Sequence, residues 1–315
     1  MTRAKRFAFF DIGTNTILLL VVEFRPDGSF EVLDDLAEIT RLGQGVDRTL
    51  RMSSEGERRS LEVLRRYLER CRELDVEEIR AVGTSALRDA ANSPEVRARF
   101  KEELGLTVRV LSGDEEAAYS FLAVQRGLRL GAEERLVVDI GGGSTEFIWG
   151  DTAGMRLAAS VNLGSVRLTE RFLWSDPVTD EECARMLAFI DQEVGRLREH
   201  GPEVAENLSL VGIAGTFTTL AAVEKGLTRY SHHEIHGSLL TLAEVTRQVN
   251  VYRRMSVVER KLIPGLEPKR ADVILAGACL VQRIMRLFGA VQVIVSDQGI
   301  RYGLLYERLG HMGSY

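Results

Sequence analysis

The chain contains two copies of one short pattern, in which an apolar run ends at an aspartate and a turn rich in glycine and hydroxyl side chains follows. The first copy is FAFFDIGTNT, residues 7–16, and the second is LVVDIGGGSTE, residues 136–146. An aspartate at the end of a buried strand is costly to desolvate unless a cation or hydrogen-bond donors receive it. Glycines expose backbone N–H groups that suit phosphate oxygens. The pattern therefore predicts two related halves that face one cleft and bind an anion.

The residues after each turn decide which kind of phosphate loop it can be. A Rossmann or Walker loop must open a helix. Here ILLLVVEF follows the first turn and EFIWG follows the second, and both are rich in residues typical of strands. We predict that both turns close β-hairpins, which argues against a dinucleotide fold and against a P-loop.

Strand-like and helix-like segments alternate along the rest of the chain, which indicates an α/β fold. Ser54 with Glu57, and Thr179 with Glu182, read as capping boxes that begin helices. The apolar residues within the stretch 269–288 predict one continuous helix. At 315 residues the chain is too long for one hydrophobic core. We predict two α/β domains, 1–127 and 128–315, with the boundary in a polar stretch near residues 127–134.

Composition excludes several classes of function. A formal net charge of −5 argues against a dedicated nucleic-acid-binding protein. The three cysteines, Cys71, Cys183 and Cys279, are far apart in sequence, which fits a reducing compartment without a zinc site or a disulfide framework. The longest apolar run is far shorter than a membrane span. We predict a cytoplasmic protein with neither a nucleic-acid nor a membrane partner.

Donors in the two turns form the predicted phosphate-binding set. Its members are Gly13, Thr14, Asn15 and Thr16 in the first turn, and Gly141, Gly142, Gly143, Ser144 and Thr145 in the second. Asp11 and Asp139 would repel a phosphate unless a divalent cation lies between them, and hard oxygen ligands suit Mg²⁺. Arg41, Arg88 and Arg167 lie beside such turns and are candidates for neutralising phosphate charge.

Two further groups of residues are candidates for chemistry. Glu115 and Glu116 open a predicted helix, and one of them is our candidate for the base that deprotonates water; the alternative is a solvated first turn. The three histidines of SHHEIHG have only Glu234 as a close acidic neighbour. For this segment we favour a loop with one structural histidine over a zinc site.

Taken together, these motifs closely resemble the exopolyphosphatase/guanosine pentaphosphate phosphatase family, written Ppx/GppA. The matching stretches are FFDIGTNT, ITRLGQGV, AVGTSALRDAAN, LSGDEEAAYSFLAV, LVVDIGGGSTEF, NLGSVRLTERF, VGIAGTFTTLAAV, IHGSLL and IVSDQGIRYGLL. Members of the family are similar in fold to actin, sugar kinases and chaperone ATPases. The resemblance implies two ribonuclease H-like domains with the active site between them, and a closing helix, at about residues 299–309, that returns to the first domain. The length matches the short form of the family.

The resemblance also implies roles for single residues. Glu116 falls on the position of the catalytic base, Asp139 and Glu146 on positions that bind or orient Mg²⁺ and water, and residues 141–145 on the phosphate loop. Asp11 completes the predicted metal set. The chain departs from the family pattern in three ways. Leu18 stands where arginine or histidine is common, Thr14 and Thr16 stand where serines are common but keep the hydroxyls, and Ala214 replaces a glycine of the usual GGT stretch.

Three hypotheses for the function follow. The leading one is a Mg²⁺-dependent hydrolase that removes terminal phosphates from inorganic polyphosphate, with guanosine pentaphosphate as a further candidate ligand. The second is an ATP-dependent kinase or ATPase of the same superfamily, for which AGTFTTL is a poor adenosine platform. The third is a non-catalytic polyphosphate or alarmone sensor, to which Leu18 gives weight. A homodimer is the candidate oligomeric state.

Overall fold

The chain folds into two compact units, and each is defined by the contacts among its own residues. The computed structural model describes residues 4–131, 133–200 and 208–312. Unit 1 lies within Met1–Ala123 and Ile300–Tyr315, and unit 2 is Val124–Gly299. The last helix therefore belongs to unit 1. The domain limits proposed from the sequence, 1–127 and 128–315, stay a prediction.

Strands and helices alternate along most of the chain. The first part comprises β1 (Lys5–Ile12), β2 (Thr16–Phe24), β3 (Phe30–Ile39), α1 (Val46–Thr49), α2 (Ser54–Glu73), β4 (Glu78–Gly83), α3 (Ser85–Asp89), α4 (Ser93–Leu104), β5 (Val108–Val110) and α5 (Gly113–Gly127). The second part comprises β6 (Arg135–Ile140), β7 (Thr145–Asp151), β8 (Gly154–Val161), α6 (Ser165–Phe172), α7 (Asp180–His200), β9 (Ser209–Ile213), α8 (Ala214–Glu224), α9 (His232–Ile235), β10 (Ser238–Thr241), α10 (Leu242–Arg254), α11 (Val257–Arg260), α12 (Ile274–Leu287), β11 (Gln292–Val295) and α13 (Ile300–Met312). No described helix is long and apolar enough to cross a membrane.

Each unit is built on one mixed sheet, and the two sheets share a plan. The order in unit 1 is β3-β2-β1-β4-β5, and the order in unit 2 is β10-β11-β9-β6-β7-β8. In both units an antiparallel meander comes first. Two later strands then extend the sheet in parallel on the other side of its first strand, β4 and β5 in unit 1 and β9 and β11 in unit 2. Unit 2 adds β10 as an antiparallel edge strand beside β11. Parallel pairing needs such crossovers, whereas hairpins need only tight turns. The predicted α/β fold with two ribonuclease H-like units is confirmed.

The sheet of unit 1 is covered on both faces, which explains why the sequence of β1 is almost continuously apolar. Ala8, Phe10 and Ile12 belong to one core cluster, together with side chains of α2 and α4. Phe7 and Phe9 belong to another, together with side chains of α5 and α13. Because side chains alternate along a strand, Asp11 lies on the face that α5 and α13 cover.

The sheet of unit 2 has its large core cluster on one face. Leu136, Val138 and Ile140 of β6 pack in that cluster with side chains of α7, α8, α10 and α12. Alternation then places Asp139 on the opposite face of the same strand. Asp139 is therefore kept out of this aliphatic cluster.

The observed starts of three helices can be compared with the starts that the local sequence predicts. The capping box predicted at Thr179 is confirmed, because Thr179 N donates to Glu182 Oε2 (2.9 Å) and Glu182 N donates to Thr179 Oγ1 (3.3 Å). The box predicted from Ser54 and Glu57 is wrong. The N-cap of α2 is Ser53, whose hydroxyl accepts from Gly56 N, and a glycine at that position has no side chain to complete a box. The predicted helix 269–288 is also shorter than expected. It is preceded by a separate 3-10 turn, Pro268–Arg270, and α12 starts at Ile274.

A buried ion pair attaches α13 to the edge strand of unit 1. Arg301 Nη2 lies 2.7 Å from Asp35 Oδ1, and both side chains are almost fully buried. Tyr302 donates its hydroxyl hydrogen to Asp35 Oδ2 (2.8 Å). Each oxygen of this carboxylate therefore has a partner from the last helix.

We expect Asp35→Ala to destabilise the protein by about 3–5 kcal/mol, because it leaves the Arg301 guanidinium buried without its counter-ion. The matched control is Asp34→Ala in the same strand. Asp34 pairs with the more exposed Arg70, and such a pair contributes about 1 kcal/mol or less. Urea unfolding of both variants measures the difference. Equal losses of stability would contradict the role assigned to the Asp35 pair.

Candidate functional site

The first predicted loop closes a β-hairpin. Ile12 and Ile17 form the last pair of the β1–β2 ladder, and Gly13 N donates to Thr16 O at 3.0 Å. A Cβ atom on Gly13 would lie 3.0 Å from that same oxygen. The turn thus brings two backbones too close together for an ordinary side chain to fit without a shift.

The second loop repeats this geometry in unit 2. Ile140 and Thr145 close the β6–β7 ladder, and Gly141 N donates to Ser144 O at 3.0 Å. A Cβ atom on Gly141 would lie 3.2 Å from Ser144 O. Both turns are therefore hairpins with the same closing hydrogen bond, as predicted from the strand-forming residues after each glycine.

The start of α6 satisfies the carbonyl groups of the second loop. Ser165 N donates to Gly141 O (3.0 Å), and Arg167 N donates to Gly142 O (3.1 Å). The Arg167 side chain adds a bond from Nε to Gly143 O (2.7 Å). Arg167 therefore supports the loop through its own hydrogen bonds, which differs from the direct phosphate contact proposed from the sequence.

The N–H groups of the second loop are left to other acceptors. Within the described part of the chain, no hydrogen bond uses the backbone N–H of Gly142, Gly143 or Ser144. Successive free N–H groups in a turn form a concave site for anions. The loop has the composition and the hydrogen bonding that phosphate binding requires.

Gly164 is a residue of this site that sequence reasoning missed. A Cβ atom there would lie 2.3 Å from Gly142 O and 2.5 Å from Gly143 N, which is far inside van der Waals contact. The backbone before α6 can approach the loop only because no side chain intervenes. The stretch NLGSVRLT contained the signal, but only its position beside the loop explains it.

Thr145 has a different role from the predicted one. Its side chain is completely buried, and its hydroxyl donates to Leu163 O at 2.6 Å. The hydroxyl hydrogen is therefore not available to a phosphate, and the proposal of a side-chain donor at this position is corrected. The bond instead ties β7 to the segment that precedes α6.

The carbonyl groups of the first loop are held in a similar way. Gly43 N donates to Thr14 O (2.8 Å), and Thr40 N and Arg41 N both donate to Asn15 O (3.0 Å). Gly43 is another residue that sequence reasoning missed, because a Cβ there would lie 2.5 Å from Thr14 Cγ2. The half-buried Arg41 has a positive φ of 54°, which bends the chain beside the loop.

Asn15 carries a buried donor with no acceptor in the described protein. Its residue is 7% exposed, and its Nδ2 atom has no hydrogen-bond partner among the described residues. An unsatisfied buried amide costs about 1–3 kcal/mol. A ligand oxygen at the first loop would remove that cost.

The predicted base Glu116 is buried and paired with a predicted phosphate ligand. Arg88 Nη1 donates to Glu116 Oε2 at 2.9 Å and to Leu111 O at 3.2 Å. Glu116 lies in the first turn of α5, where the helix dipole favours a negative charge. The structure thus brings these two candidates of unit 1 together.

Its neighbour Glu115 has the contacts of a helix cap. Its carboxylate accepts from Ser112 N (2.9 Å), while Glu115 N donates to Ser112 Oγ (3.2 Å). Arg109 pairs with its other oxygen. The bond from the Ser112 N–H, helped by Arg109, lowers the pKa of this exposed carboxyl. These contacts favour the solvated-turn alternative for Glu115.

Asp139 and Glu146 lie directly opposite each other on neighbouring strands and are both buried. Ser160, opposite Glu146 on β8, donates its hydroxyl hydrogen to Glu146 Oε1 (2.8 Å). Side chains of such cross-strand pairs are about 5 Å apart, so two ionised carboxylates there repel each other. In unit 1 the equivalent pair is Asp11 with Leu18. The two hairpins therefore have the same backbone geometry but differ in the number of acidic side chains.

We expect Gly164→Ala to displace the second loop and to destabilise the protein by about 1–3 kcal/mol, because the added methyl group overlaps Gly142 O. Gly195→Ala is the matched control. Gly195 lies in α7 with open space around its Cβ position, so the change should stabilise the protein by about 0.5–1 kcal/mol. Thermal and urea unfolding measure both. A neutral Gly164→Ala would contradict the close approach.

Comparisons with known proteins identify the family of the chain. The model of the Ppx/GppA phosphatase family matches residues 21–312. The chain is similar to exopolyphosphatase 2 of Mycobacterium tuberculosis, with 34% identity over 318 residues that cover 97% of this chain and 99% of that protein. It is also similar to a bifunctional 3-dehydroquinate synthase/phosphatase of Fusobacterium nucleatum, with 32% identity over 308 residues. That match covers 95% of this chain but 46% of the relative, so the chain spans about half of that longer protein.

A solved structure supports the same relationship. The Ppx/GppA family member of Aquifex aeolicus superposes with a TM-score of 0.82 at 33% identity, and the match covers 99% of this chain and 100% of that one. The family model covers nearly the whole chain, and the glycine hairpins that suggested the resemblance are present in the fold. The chain belongs to the Ppx/GppA phosphatase family.

Proposed function

We propose that this chain is an exopolyphosphatase, which hydrolyses terminal phosphates of inorganic polyphosphate and also accepts guanosine pentaphosphate. One observation carries the proposal: each unit presents a hairpin loop whose carbonyls are bonded within the unit, while the second loop has N–H groups free for an anion and the first has the free Asn15 amide. A polyphosphate offers many identical anionic groups to such donors. A relative similar over nearly its full length carries the name exopolyphosphatase 2.

Glu116 acts as the general base in this proposal. Its carboxylate accepts a proton from a water molecule while the water oxygen attacks the terminal phosphorus. The bond between that phosphorus and the bridging oxygen breaks, and the shortened chain leaves with the bridging oxygen. The negative charge that spreads over the phosphate oxygens is offset by guanidinium and backbone N–H groups.

Arg88 has two roles in this scheme. In the structure its guanidinium pairs with Glu116, and guanidinium groups also bind phosphate strongly in a two-pronged geometry. A phosphate that draws Arg88 toward itself leaves the Glu116 carboxylate open to water. Substrate binding and activation of the base are then coupled through one side chain.

Asp139 and Glu146 are the proposed Mg²⁺ ligands. The donor set fits, because two buried carboxylates face each other at Asp139 and Glu146 and hard oxygen ligands suit this ion. Mg²⁺ is usually held by one or two carboxylates, with water and phosphate oxygens as the other ligands. Bound there, it would neutralise phosphate charge. Ser160, through its bond to Glu146, fixes the orientation of one carboxylate.

A binding-only sensor is the second candidate function, and one observation favours it. Leu18 lies opposite Asp11, so the first hairpin lacks a cation at this position. Thermal protection by polyphosphate without release of phosphate would support the sensor. For a kinase or ATPase, the start of α8 offers little room, because the Arg270 guanidinium lies against Gly215.

We expect Glu116→Gln to lower kcat for phosphate release by about 10²–10⁴-fold, since a neutral amide of the same shape takes no proton from water. Glu115→Gln, which removes a cap contact at the adjacent position, should keep turnover near the wild-type level. Phosphate release is measured from long polyphosphate, short polyphosphate and guanosine pentaphosphate, each with and without Mg²⁺. Near-normal turnover of Glu116→Gln would show that the base is assigned wrongly.

Glu146→Gln should raise the Mg²⁺ concentration for half-maximal phosphate release by about tenfold or more, because it removes one of two facing carboxylates. Asp151→Asn is the charge-matched control in the same strand. Asp151 lies at the far end of β7 and pairs with Arg156, so its replacement should leave the Mg²⁺ dependence unchanged. Identical Mg²⁺ titrations for the wild type and Glu146→Gln would remove this residue from the proposed metal set.

A further inference from the structure

His236 and Asp297 lie side by side in unit 2 because of the register of two strands. β10 and β11 pair antiparallel, with Ser238 opposite Val295. Gly237 N donates to Val295 O at 2.8 Å and extends the pairing by one residue. The next step of the same register brings His236 beside Asp297. The sequence stretches IHGSLL and IVSDQG thus meet at one point.

Both ring nitrogens of His236 face groups that accept hydrogen bonds. Nδ1 lies 3.1 Å from Asp297 Oδ1, and Nε2 lies 3.1 Å from Gly127 O. The Ser296 hydroxyl is a more distant neighbour of Nδ1, at 3.4 Å, and it also donates to Gln298 O. A carboxylate and a peptide carbonyl have no hydrogen to give, and a neutral imidazole has only one N–H. The two contacts, which we call the His236 bridge, are both hydrogen bonds only when the ring is an imidazolium.

The surroundings of the bridge favour that charged form. The Asp297 side chain is almost fully buried, and it also contacts His232 Nδ1 and, at 3.5 Å, the Tyr230 hydroxyl. These are the titratable groups of the segments packed around His236, and the end of α5 adds the Gly127 carbonyl. Burial, the largest single influence, lowers the pKa of His236. The bonds to Asp297 and Gly127 outweigh it and raise the pKa above its ordinary value.

The Gly127 carbonyl is the end of the helix that begins beside Glu116. α5 runs from Gly113 to Gly127, and Leu128 N closes its last turn on Val124 O (3.1 Å). A Cβ atom on Gly127 would lie 2.0 Å from Gln298 Oε1, so the helix end is packed closely against the segment after β11. A positive charge at a helix C-terminus is favourable. The His236 bridge therefore anchors the end of α5.

We infer that His236 is a proton-dependent positioning residue, which holds the end of α5 as an imidazolium and releases it on deprotonation. The neutral ring keeps its one N–H on the charged Asp297, which is the stronger acceptor. The lone pair of Nε2 then faces the lone pairs of Gly127 O, and that contact becomes repulsive. Because α5 also carries Glu116, the effect on activity rests on the proposed function.

The sign of the pH dependence follows from the raised pKa. The stabilisation is fully present below the pKa of histidine in the unfolded chain, and it is lost as pH rises through the higher pKa of the folded state. Order at the end of α5 should therefore decrease on the alkaline side. Acidification to neutral pH should restore it.

The first test follows the His236 ring by nitrogen NMR in the full-length protein from about pH 5 to 9. We expect both ring nitrogens to carry hydrogen at the acidic end and the ring to titrate above about 6.5. His236→Gln assigns the signal, and His233→Gln, at an exposed neighbouring position, is the control that should leave it unchanged. A ring that titrates at or below the ordinary value would overturn the inference.

The second test measures hydrogen exchange at the Leu128 amide, corrected for the intrinsic effect of pH. In the wild type the exchange rate should rise about tenfold as the pH passes the His236 pKa, whereas His236→Gln should show no such step. Absence of the step in the wild type would overturn the inference. The exchange measurement on the wild type decides the matter even if His236→Gln does not fold, because it follows the Leu128 amide and does not need that variant.

Activity gives a third, separate result. The kcat for phosphate release should fall over the same pH range in the wild type and stay flat in His236→Gln, with little change in KM for either. If the wild type releases no phosphate at any pH, the proposed function is wrong, while the NMR and exchange results still decide the bridge. If both are pH-independent in the range where His236 titrates, the positioning role is wrong and the hydrolase proposal stands.

Discussion

The hydrogen bonds between the second glycine loop and the start of α6 are the interaction on which the rest of unit 2's site depends. In a planar peptide group the N–H points away from the C=O. Fixing the Gly142 carbonyl on Arg167 N therefore fixes an N–H on the other side of the turn. The first turn of α6 uses N–H groups that a helix normally offers to an anion. These N–H groups donate to the loop carbonyls, and the loop offers its own N–H groups to an anion instead. The absent side chain of Gly164 makes the approach possible.

The charge at the two hairpins is the second constraint. Asp139 and Glu146 are buried opposite each other, and the Ser160 hydroxyl satisfies one oxygen of the pair. Like charges repel more strongly in a low dielectric, so a cation bound between the two carboxylates would stabilise this hairpin. At the first hairpin the residue opposite Asp11 is Leu18, and that pair has one acidic side chain. The paired carboxylates that suit a cation are therefore found in the hairpin of unit 2.

Sequence reasoning predicted the hairpins, the α/β class and the glycine loops, because these depend on local patterns of apolar and turn residues. It assigned Thr145 wrongly because the acceptor of its hydroxyl, Leu163 O, is 18 residues away in sequence. The separate contacts of Glu115 and Glu116 were equally hidden, since adjacent residues of a helix point in different directions. The role of His236 depends on Gly127, a partner 109 residues away. Tertiary contacts of this kind leave no local signal.

Helix α5 has Glu116 in its first turn and the His236 contact at its last carbonyl. Its first turn contains three acidic residues, and its last carbonyl accepts from a histidine ring. The aligned peptide dipoles of one helix favour negative charge at the start and positive charge at the end. The carboxylate of Glu116 and the imidazolium of His236 are thus stabilised by the same peptide units. If the imidazolium is lost, the helix end loses both a hydrogen bond and a favourable charge. A base that depends on a fixed direction toward water is sensitive to small movements of its helix.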